Sequence, residues 1–237
     1  MRRSRSPLGL LALLLPLVQG TWVRAGSDTP PPAASPYLNR HYEDASPGPR
    51  PDRFEGLARG LFDHRFRIVH ELGIHPGMRI ADIGPGTGIF TVLLARATGP
   101  DGLVYAVGTS SDSIADIEAR AAEYRVQNVV PLVSDRSSTD LDPGGIDLAF
   151  LCESYRQLED PEAMLRSIRR ALVPYGLLVI VDRRHEPGIG PAWVAEHSGV
   201  DPERVIQEVQ SAGYRLLDEP ELPGQGLFLR FQRREDE

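Results

Sequence analysis

The chain contains no lysine, so all 26 of its basic residues are arginine. Without lysine it has no phosphate-binding loop of the G-x-x-x-x-G-K-S/T type. Cysteine occurs once, as Cys152, which excludes an intrachain disulfide framework and a metal site built from several cysteines. We expect no metal site, because five of the six histidines show no spacing typical of metal ligands (His41, His64, His70, His75 and His197).

Positive charge is also scarce. Acidic residues outnumber basic ones by 33 to 26, and the formal net charge is −7. We expect no nucleic acid partner, because neutralising phosphates requires a basic face. The apolar content of 41% is ordinary for a globular protein, and 237 residues can form one α/β domain with a substantial core and a tail.

The first 25 residues have the composition of a secretory signal peptide. Three arginines precede a leucine-rich stretch at residues 8–18 that is too short to span a bilayer, and Val23 and Ala25 are suitable for cleavage before Gly26. We expect export to the periplasm or another extracytoplasmic compartment, without stable membrane insertion after cleavage. The alternative is an amphipathic or core helix in a cytoplasmic protein. Residues 26–51 are rich in proline and predict a linker without regular structure, followed by a domain over residues 52–237.

Export predicts a mature protein that begins near Gly26. Mass spectrometry of the protein from its native host should find this shortened chain, because the signal segment is removed during translocation. An intact Met1 in a soluble cytoplasmic fraction would contradict the expectation.

From residue 52 onward, apolar runs of strand length alternate with segments of helical periodicity. This alternation indicates βαβ units and a parallel, doubly wound sheet. The last two strands are joined by a loop without a helix, which predicts an antiparallel pair. Predicted strands span residues 80–83, 103–107, 129–133, 146–152, 177–181, 214–217 and 227–232. Predicted helices span residues 52–73, 90–97, 110–124, 161–172 and 201–213. Asp160 and Asp201 are the predicted N-caps of the last two helices.

The most informative segment is residues 79–90, which read R-I-A-D-I-G-P-G-T-G-I-F. A short apolar strand carries Asp82, and Gly84, Gly86 and Gly88 follow before an apolar helix begins. Glycine is needed where φ is positive or where a ligand must approach the main chain without meeting a Cβ atom. The loop therefore suits a nucleotide-like ligand. Ile89 stands where the dinucleotide fingerprint G-x-G-x-x-G requires its third glycine, which disfavours an NAD site.

The D-I-G-P-G-T-G segment resembles motif I, D/E-x-G-x-G-x-G, of class I S-adenosylmethionine (SAM)-dependent methyltransferases. Residues 147–155 and 158–176 resemble the fourth strand and the following helix of that family, with Tyr175 in place of the first glycine of a P-G-G ending. The resemblance covers roughly residues 52–233. It implies a seven-stranded, mostly parallel α/β sheet with an antiparallel last strand, and SAM as the cofactor.

The resemblance also assigns residues to the parts of SAM. The glycine loop and an acid would face the aminocarboxypropyl group, since backbone amides suit its carboxylate and an acid suits its ammonium. The family carries an acid for the ribose hydroxyls at the end of the second strand, where this chain has Gly108, so the neighbouring hydroxyl side chains would take part instead. A further acid matches the position that meets the adenine amino group, and another lies beyond the fourth strand. The implied cofactor-binding residues are Asp82, Gly84, Gly86, Thr87 and Gly88 in the loop, Thr109 and Ser110 at the ribose, Asp135 at the adenine, and Glu153.

On the substrate side the candidates are Tyr155, Arg156 and His185. Many small-molecule methyltransferases of this family carry histidines after the fourth strand, whereas this chain has Arg156 and Gln157. We therefore assign no catalytic residue from the sequence. Packing or surface roles are the alternative for the three candidates.

Together these patterns predict a SAM-dependent methyltransferase that acts on an unidentified small molecule. The alternative is an exported SAM-fold binding or accessory protein with impaired or lost catalysis, because Gly108 replaces the ribose acid and SAM is made in the cytoplasm. An NAD-dependent oxidoreductase is the third possibility, and Ile89 and Gly108 both disfavour it.

Overall fold

A computed structural model of the chain describes residues 59–184, 199–223 and 226–235. The predicted signal peptide, the proline-rich segment and His185 lie outside these ranges. The described elements in chain order are α1 (Arg59–Asp63), α2 (Arg65–Glu71), β1 (Arg79–Ile83), α3 (Ile89–Thr98), β2 (Leu103–Gly108), α4 (Ser111–Glu123), β3 (Val129–Val133), β4 (Ile146–Cys152), a 3₁₀ turn (Tyr155–Gln157), α5 (Pro161–Ala171), β5 (Leu172–Arg183), α6 (Pro202–Ser211), β6 (Tyr214–Asp218) and β7 (Gly226–Arg233).

The strands form one mixed sheet in the order β3-β2-β1-β4-β5-β7-β6. The first five strands pair in parallel, and β7 runs antiparallel to both of its neighbours. Since β2 lies on one side of β1 and β4 on the other, the carboxyl end of β1 opens at the crevice where doubly wound sheets bind ligands. The predicted seven-stranded α/β sheet with an antiparallel last strand is confirmed.

Both faces of the central strands are buried, as expected for parallel strands with helices on each side. Alternate residues along a strand point to opposite faces. Ala81 and Ile180 accordingly pack in one cluster with residues of α5 and α6. Ile80 and Val179 pack in a second cluster with residues of α2 and α3. This two-sided core holds the carboxyl ends of the strands, and the loops that follow them, in fixed positions.

The predicted N-cap acids are confirmed. The Ala163 amide donates to Asp160 over 2.9 Å at the start of α5, and the Glu203 amide donates to Asp201 over 3.0 Å at the start of α6. Each carboxylate thereby satisfies a backbone donor that has no partner within its helix. Among the helices in the described ranges, none is long and apolar enough to cross a membrane.

The first predicted helix is wrong as a single element. Within the described part of residues 52–73, α1 ends at Asp63 and α2 begins at Arg65. Between them, His64 has φ −100° and ψ 10°, which lies outside the α-helical region. The apolar periodicity continues across this break, so the sequence pattern did not reveal it.

The sequence predicted that the fifth strand begins at residue 177. In the structure it begins at Leu172. The pairing register with β4 shifts here, because Ile146 pairs with Leu172 whereas Leu148 pairs with Leu177. The extra residues form a bulge in which Tyr175 has a φ of +63°. A left-handed backbone favours glycine, which explains why the resembled pattern has glycine where this chain has Tyr175.

Candidate functional site

The candidate site lies at the edge of the sheet where the parallel strands end. The Gly84 amide donates to the Val107 carbonyl over 2.9 Å, which ties the glycine loop to β2. The Ser154 hydroxyl donates to the Ile83 carbonyl over 2.7 Å, which ties the segment after β4 to β1. These bonds join the segments that follow three neighbouring strands into one surface.

The three glycines of the loop share a left-handed backbone but differ in their surroundings. Their φ angles are +68° at Gly84, +53° at Gly86 and +76° at Gly88. A Cβ atom on Gly84 would lie 2.6 Å from Ser154 Cβ, and one on Gly88 would lie 3.0 Å from Ile117 Cγ1. At Gly86 a Cβ atom would meet nothing within 4 Å. Gly84 and Gly88 therefore permit close packing of the protein on itself, whereas Gly86 leaves open space beside the backbone.

The loop leads directly into a helix N-terminus. Gly88 is the N-cap of α3, and Thr87, which is half-buried, precedes it. The first amides of a helix have no partner within it, and the helix dipole adds partial positive charge at that end. The cradle formed by the loop and α3 therefore suits a carboxylate or another anionic group.

Asp82 lies just before the loop and is buried. The Thr91 hydroxyl, from the first turn of α3, donates to Asp82 Oδ2 over 2.6 Å. Burial raises the pKa of the Asp82 carboxyl from its ordinary 3.8 to about 7, although the Thr91 hydrogen bond opposes the shift. Asp82 is therefore poised to lose or gain a proton near neutral pH, and a nearby cation would favour its charged form.

At the end of β2, the position of the family's ribose acid is a glycine with an ordinary backbone. Gly108 is not among the residues with positive φ, and a Cβ atom there would lie 3.3 Å from Ile114 Cδ1. Thr109 and Ser110 are both exposed. The Ser110 side chain makes no capping bond to α4, although it occupies the N-cap position. The hydroxyl groups at this strand end are therefore accessible from solvent.

Asp135 follows β3 at the same edge of the sheet and is exposed. Its Oδ1 atom accepts hydrogen bonds from the Ser137 amide over 2.7 Å and from the Ser137 hydroxyl over 2.9 Å. These bonds lower the pKa of the Asp135 carboxyl, so it is charged at neutral pH. Its assignment to the adenine stays a prediction.

Two ion pairs join the ends of β4 and β5. Arg183 Nε lies 2.8 Å from Glu153 Oε1, and Arg156 Nη1 lies 3.3 Å from Asp182 Oδ1. Glu153, predicted as a cofactor residue, thus has a protein partner, and its φ of +54° is unusual for a residue other than glycine. The pairs fix the relative positions of two strand ends and of the 3₁₀ turn.

Asp182 was not found by the sequence analysis. It is fully buried, and its Oδ1 atom also accepts from the Arg183 amide over 2.8 Å. Its Oδ2 atom is buried without a hydrogen-bond partner among the described residues. Burial raises the pKa of the Asp182 carboxyl to about 6, against the opposing effects of the Arg183 amide and Arg156. An acid that ends the apolar run of residues 177–181 was the available signal, since Asp82 occurs in the same kind of position.

The substrate-side candidates are placed differently from one another. Tyr155 is buried in the core, and its hydroxyl donates to Glu208 Oε2 of α6 over 2.7 Å. Burial raises the pKa of the Tyr155 phenol, so it remains protonated. Arg156 instead reaches Asp182 at the strand ends, and His185 lies outside the described residues. Tyr155 thereby acquires a packing partner in α6, and Arg156 remains beside the candidate site.

Cys152, the last residue of β4, packs against the core. Burial raises the pKa of its thiol well above the ordinary value, and the nearby carboxyls of Glu153, Asp82 and Asp182 raise it further. The thiol is therefore not activated as a nucleophile. In the described ranges, no group of three His, Cys, Asp or Glu residues is arranged to hold a metal ion.

Comparison with known proteins identifies the family. A family model described as a methyltransferase domain matches residues 74–213, which is more than half of the chain. The demethylmenaquinone methyltransferase of Lactococcus lactis subsp. lactis is 26% identical over 121 residues, covering 51% of this chain and 48% of that protein. The chain thus spans about half the length of the curated relatives it matches.

Solved structures show the same fold at low identity. A SAM-dependent methyltransferase from Aquifex aeolicus superposes with a TM-score of 0.65 and 22% identity, covering 71% of this chain and 88% of its own. A possible exported protein from Bordetella parapertussis superposes with a TM-score of 0.62 and 14% identity, covering 84% of this chain and 77% of its own. The family match over residues 74–213, together with the seven-stranded sheet and its reversed last strand, shows that the chain belongs to the class I SAM-dependent methyltransferase family.

Proposed function

We propose that the protein binds SAM at the glycine loop and transfers its methyl group to a small molecule. The observation that carries the proposal is the open space beside Gly86, in a loop whose other two glycines are closely packed. A ligand can approach the backbone there without meeting a side chain. The helix N-terminus suits the carboxylate of SAM, and Asp82 suits its ammonium group. When bound, SAM supplies a methyl group on a positively charged sulfur.

The charges at the strand ends support a cationic ligand. Asp82 lies near the end of β1, Glu153 follows β4 and Asp182 lies near the end of β5, so the three carboxyls belong to neighbouring strand ends. Arginines pair with two of these carboxyls, whereas Asp82 has no arginine partner within the described ranges. A cation brought next to Asp82 would stabilise its charged form.

The same pairs indicate which methyl acceptors fit. Arg156 and Arg183 are each paired with a carboxylate, so a phosphate or carboxylate group on the acceptor would have to displace that partner. A neutral or cationic small molecule avoids this cost. The net charge of −7 likewise disfavours a nucleic acid as the acceptor.

A second function, an exported SAM-fold binding or accessory protein without efficient catalysis, is favoured by Gly108. Without an acid at this strand end, the ribose hydroxyls meet only neutral groups such as Thr109 and Ser110, and hydrogen bonds to neutral groups are weaker than charge-assisted ones. Export, as proposed from the first 25 residues, would also separate the protein from the cytoplasmic supply of SAM.

Calorimetric titration of the purified protein with SAM, and separately with NAD, tests the proposal. We expect SAM to bind and NAD not to bind, because Ile89 replaces the glycine that a dinucleotide site requires. Binding of NAD in preference to SAM, or of neither, would contradict the proposed function. Methyl transfer to a small molecule would then separate the enzyme from the accessory protein.

The same titration should depend on pH. In the free protein the pKa of Asp82 is raised to about 7, so only a minor fraction is ionised at pH 6 and most is ionised at pH 7.5. If the ionised form binds the ammonium of SAM, affinity rises with pH by about fivefold to tenfold over this interval, because the apparent Kd scales inversely with the competent fraction. The Asp82→Asn variant should bind more weakly and lose the dependence. An equal pH dependence in both proteins would remove Asp82 from the ammonium site.

A further inference from the structure

We propose that Asp182 binds the O–H or N–H group of the methyl acceptor and takes up its proton. The inference rests on the proposed function and supplies a group that the sequence analysis did not assign. It places a hydrogen-bond acceptor at the end of β5, two strands from the end of β1. It also defines the acceptor as a neutral or cationic small molecule with a hydroxyl or an amine at the methylated atom.

The hydrogen bonds of Asp182 leave one oxygen unused. Its Oδ1 atom accepts from the Arg183 amide over 2.8 Å and pairs with Arg156 over 3.3 Å. These two contacts, from different segments of the chain, hold the carboxyl plane in place. The Oδ2 atom is buried and has no partner among the described residues. Buried polar atoms in proteins are nearly always satisfied, so this oxygen requires a donor from outside the described residues, and we assign that donor to the methyl acceptor.

The fold places Asp182 two strands away from the glycine loop, at the same edge of the sheet. Gly84 packs against Ser154, whose hydroxyl bonds the end of β1. Arg156 lies two residues after Ser154 and pairs with Asp182 at the end of β5. β4 lies between β1 and β5, and neighbouring strands are about 4.8 Å apart. Asp182 therefore lies roughly 10 Å from the end of β1, adjacent to the proposed SAM site and separate from it.

The surrounding charges make Asp182 a suitable base. Arg156 from the 3₁₀ turn and Arg183 from β5 favour its ionised form, whereas Glu153 from β4 opposes it, and the Cys152 thiol beside it stays neutral. Burial has the largest effect, and the pKa of the carboxyl is raised to about 6. The group is thus ionised at neutral pH, yet more basic than an ordinary aspartate, which is the condition for efficient proton uptake.

The step balances without another reactant. The proton of the acceptor O–H or N–H passes to Asp182 Oδ2, and the acceptor atom forms its bond to the methyl carbon. The carbon–sulfur bond of SAM breaks, and its electron pair stays on the sulfur, which becomes neutral. The carboxylate becomes a carboxylic acid.

The Asp182→Asn variant tests the assignment, with Asp147→Asn as the matched control. Asp147 also accepts from a backbone amide, that of Arg79 over 2.7 Å, and pairs with the arginine side chain, but it lies near the start of β4. SAM affinity is measured first by calorimetry, and both variants should keep the wild-type Kd within about threefold. Methyl transfer is then measured from radiolabelled SAM to a panel of phenols, catechols, aliphatic alcohols and amines. Thiols are included as control acceptors, because they ionise in water near neutral pH and need no base from the protein.

We expect transfer to a hydroxyl or amine that falls by roughly 10²-fold or more in Asp182→Asn and is unchanged in Asp147→Asn. At saturating SAM, which removes the contribution of Asp82 to cofactor affinity, the wild-type kcat/KM for a hydroxyl acceptor should rise with pH through about 6 and then level off, because only the ionised Asp182 carboxyl accepts a proton. The pH profile needs no variant, so it remains decisive if Asp182→Asn does not fold. A flat profile from pH 5 to 8, transfer to thiols only, or no transfer to the panel by a protein that binds SAM would overturn the inference. A protein that does not bind SAM would instead refute the proposed function.

Discussion

Replacing Gly86 with valine is expected to abolish SAM binding and leave a folded domain. Gly86 is the member of the loop beside which a Cβ atom meets nothing within 4 Å, so the new side chain would occupy the space assigned to the ligand. Its φ of +53° makes any other residue strained, by about 1–2 kcal/mol in the free energy of unfolding. Calorimetric titration with SAM and thermal unfolding measure the two effects.

Gly73→Val is the matched control. Gly73 has a φ of +63°, is exposed, and also has open space around the position of a Cβ atom, but it follows α2 and lies outside the glycine loop. Both variants should therefore lose similar stability, whereas Gly86→Val alone should lose SAM. If Gly86→Val bound SAM with the wild-type Kd, the loop would have only a structural role.

The second expected result is a gain of affinity. Gly108→Asp should tighten SAM binding by about tenfold or more, because a carboxylate at the end of β2 adds a charge-assisted hydrogen bond to the ribose, worth ~1.5–3 kcal/mol. The backbone accepts the change, since Gly108 is not among the residues with positive φ. The new Cβ atom would lie 3.3 Å from Ile114 Cδ1, the end of a flexible side chain that needs to move only slightly.

Gly108→Asn separates charge from shape in this experiment. The asparagine has nearly the same size and meets Ile114 in the same way, so it should gain clearly less affinity than the aspartate. If wild type binds SAM at micromolar concentration and Gly108→Asp weakens it, then Thr109, Ser110 or another group has taken over the ribose, and the site is a working variant. If wild type does not bind and the aspartate restores binding, the natural protein is a SAM fold that has lost its ligand.

The amino-acid sequence by itself was sufficient for the seven strands and for the helices from α3 onward, but not for the break between α1 and α2. The β1–loop–α3 unit, the alternation that follows and the loop between β6 and β7 together predicted the sheet that the structure confirms. These features are local, because strand and helix periodicity, N-cap acids and glycine spacing each depend on a few neighbouring residues. The strands β3 and β4 even begin and end where their apolar runs do.

Only the tertiary structure could separate the roles of residues that look alike in the sequence. Gly84 and Gly86 differ because Ser154, far along the chain, packs on one and not on the other. The pairing of β4 with β5 brings Asp182 next to Arg156, which follows β4. The same packing buries its Oδ2 atom without a partner among the described residues. The Tyr155 hydroxyl donates to Glu208 because α6 packs on the same face of the sheet. Periodicity in the sequence predicts that a side chain is buried. Which residue it contacts depends on the strands that the fold places side by side, and that contact determines the pKa of the side chain and its access to a ligand.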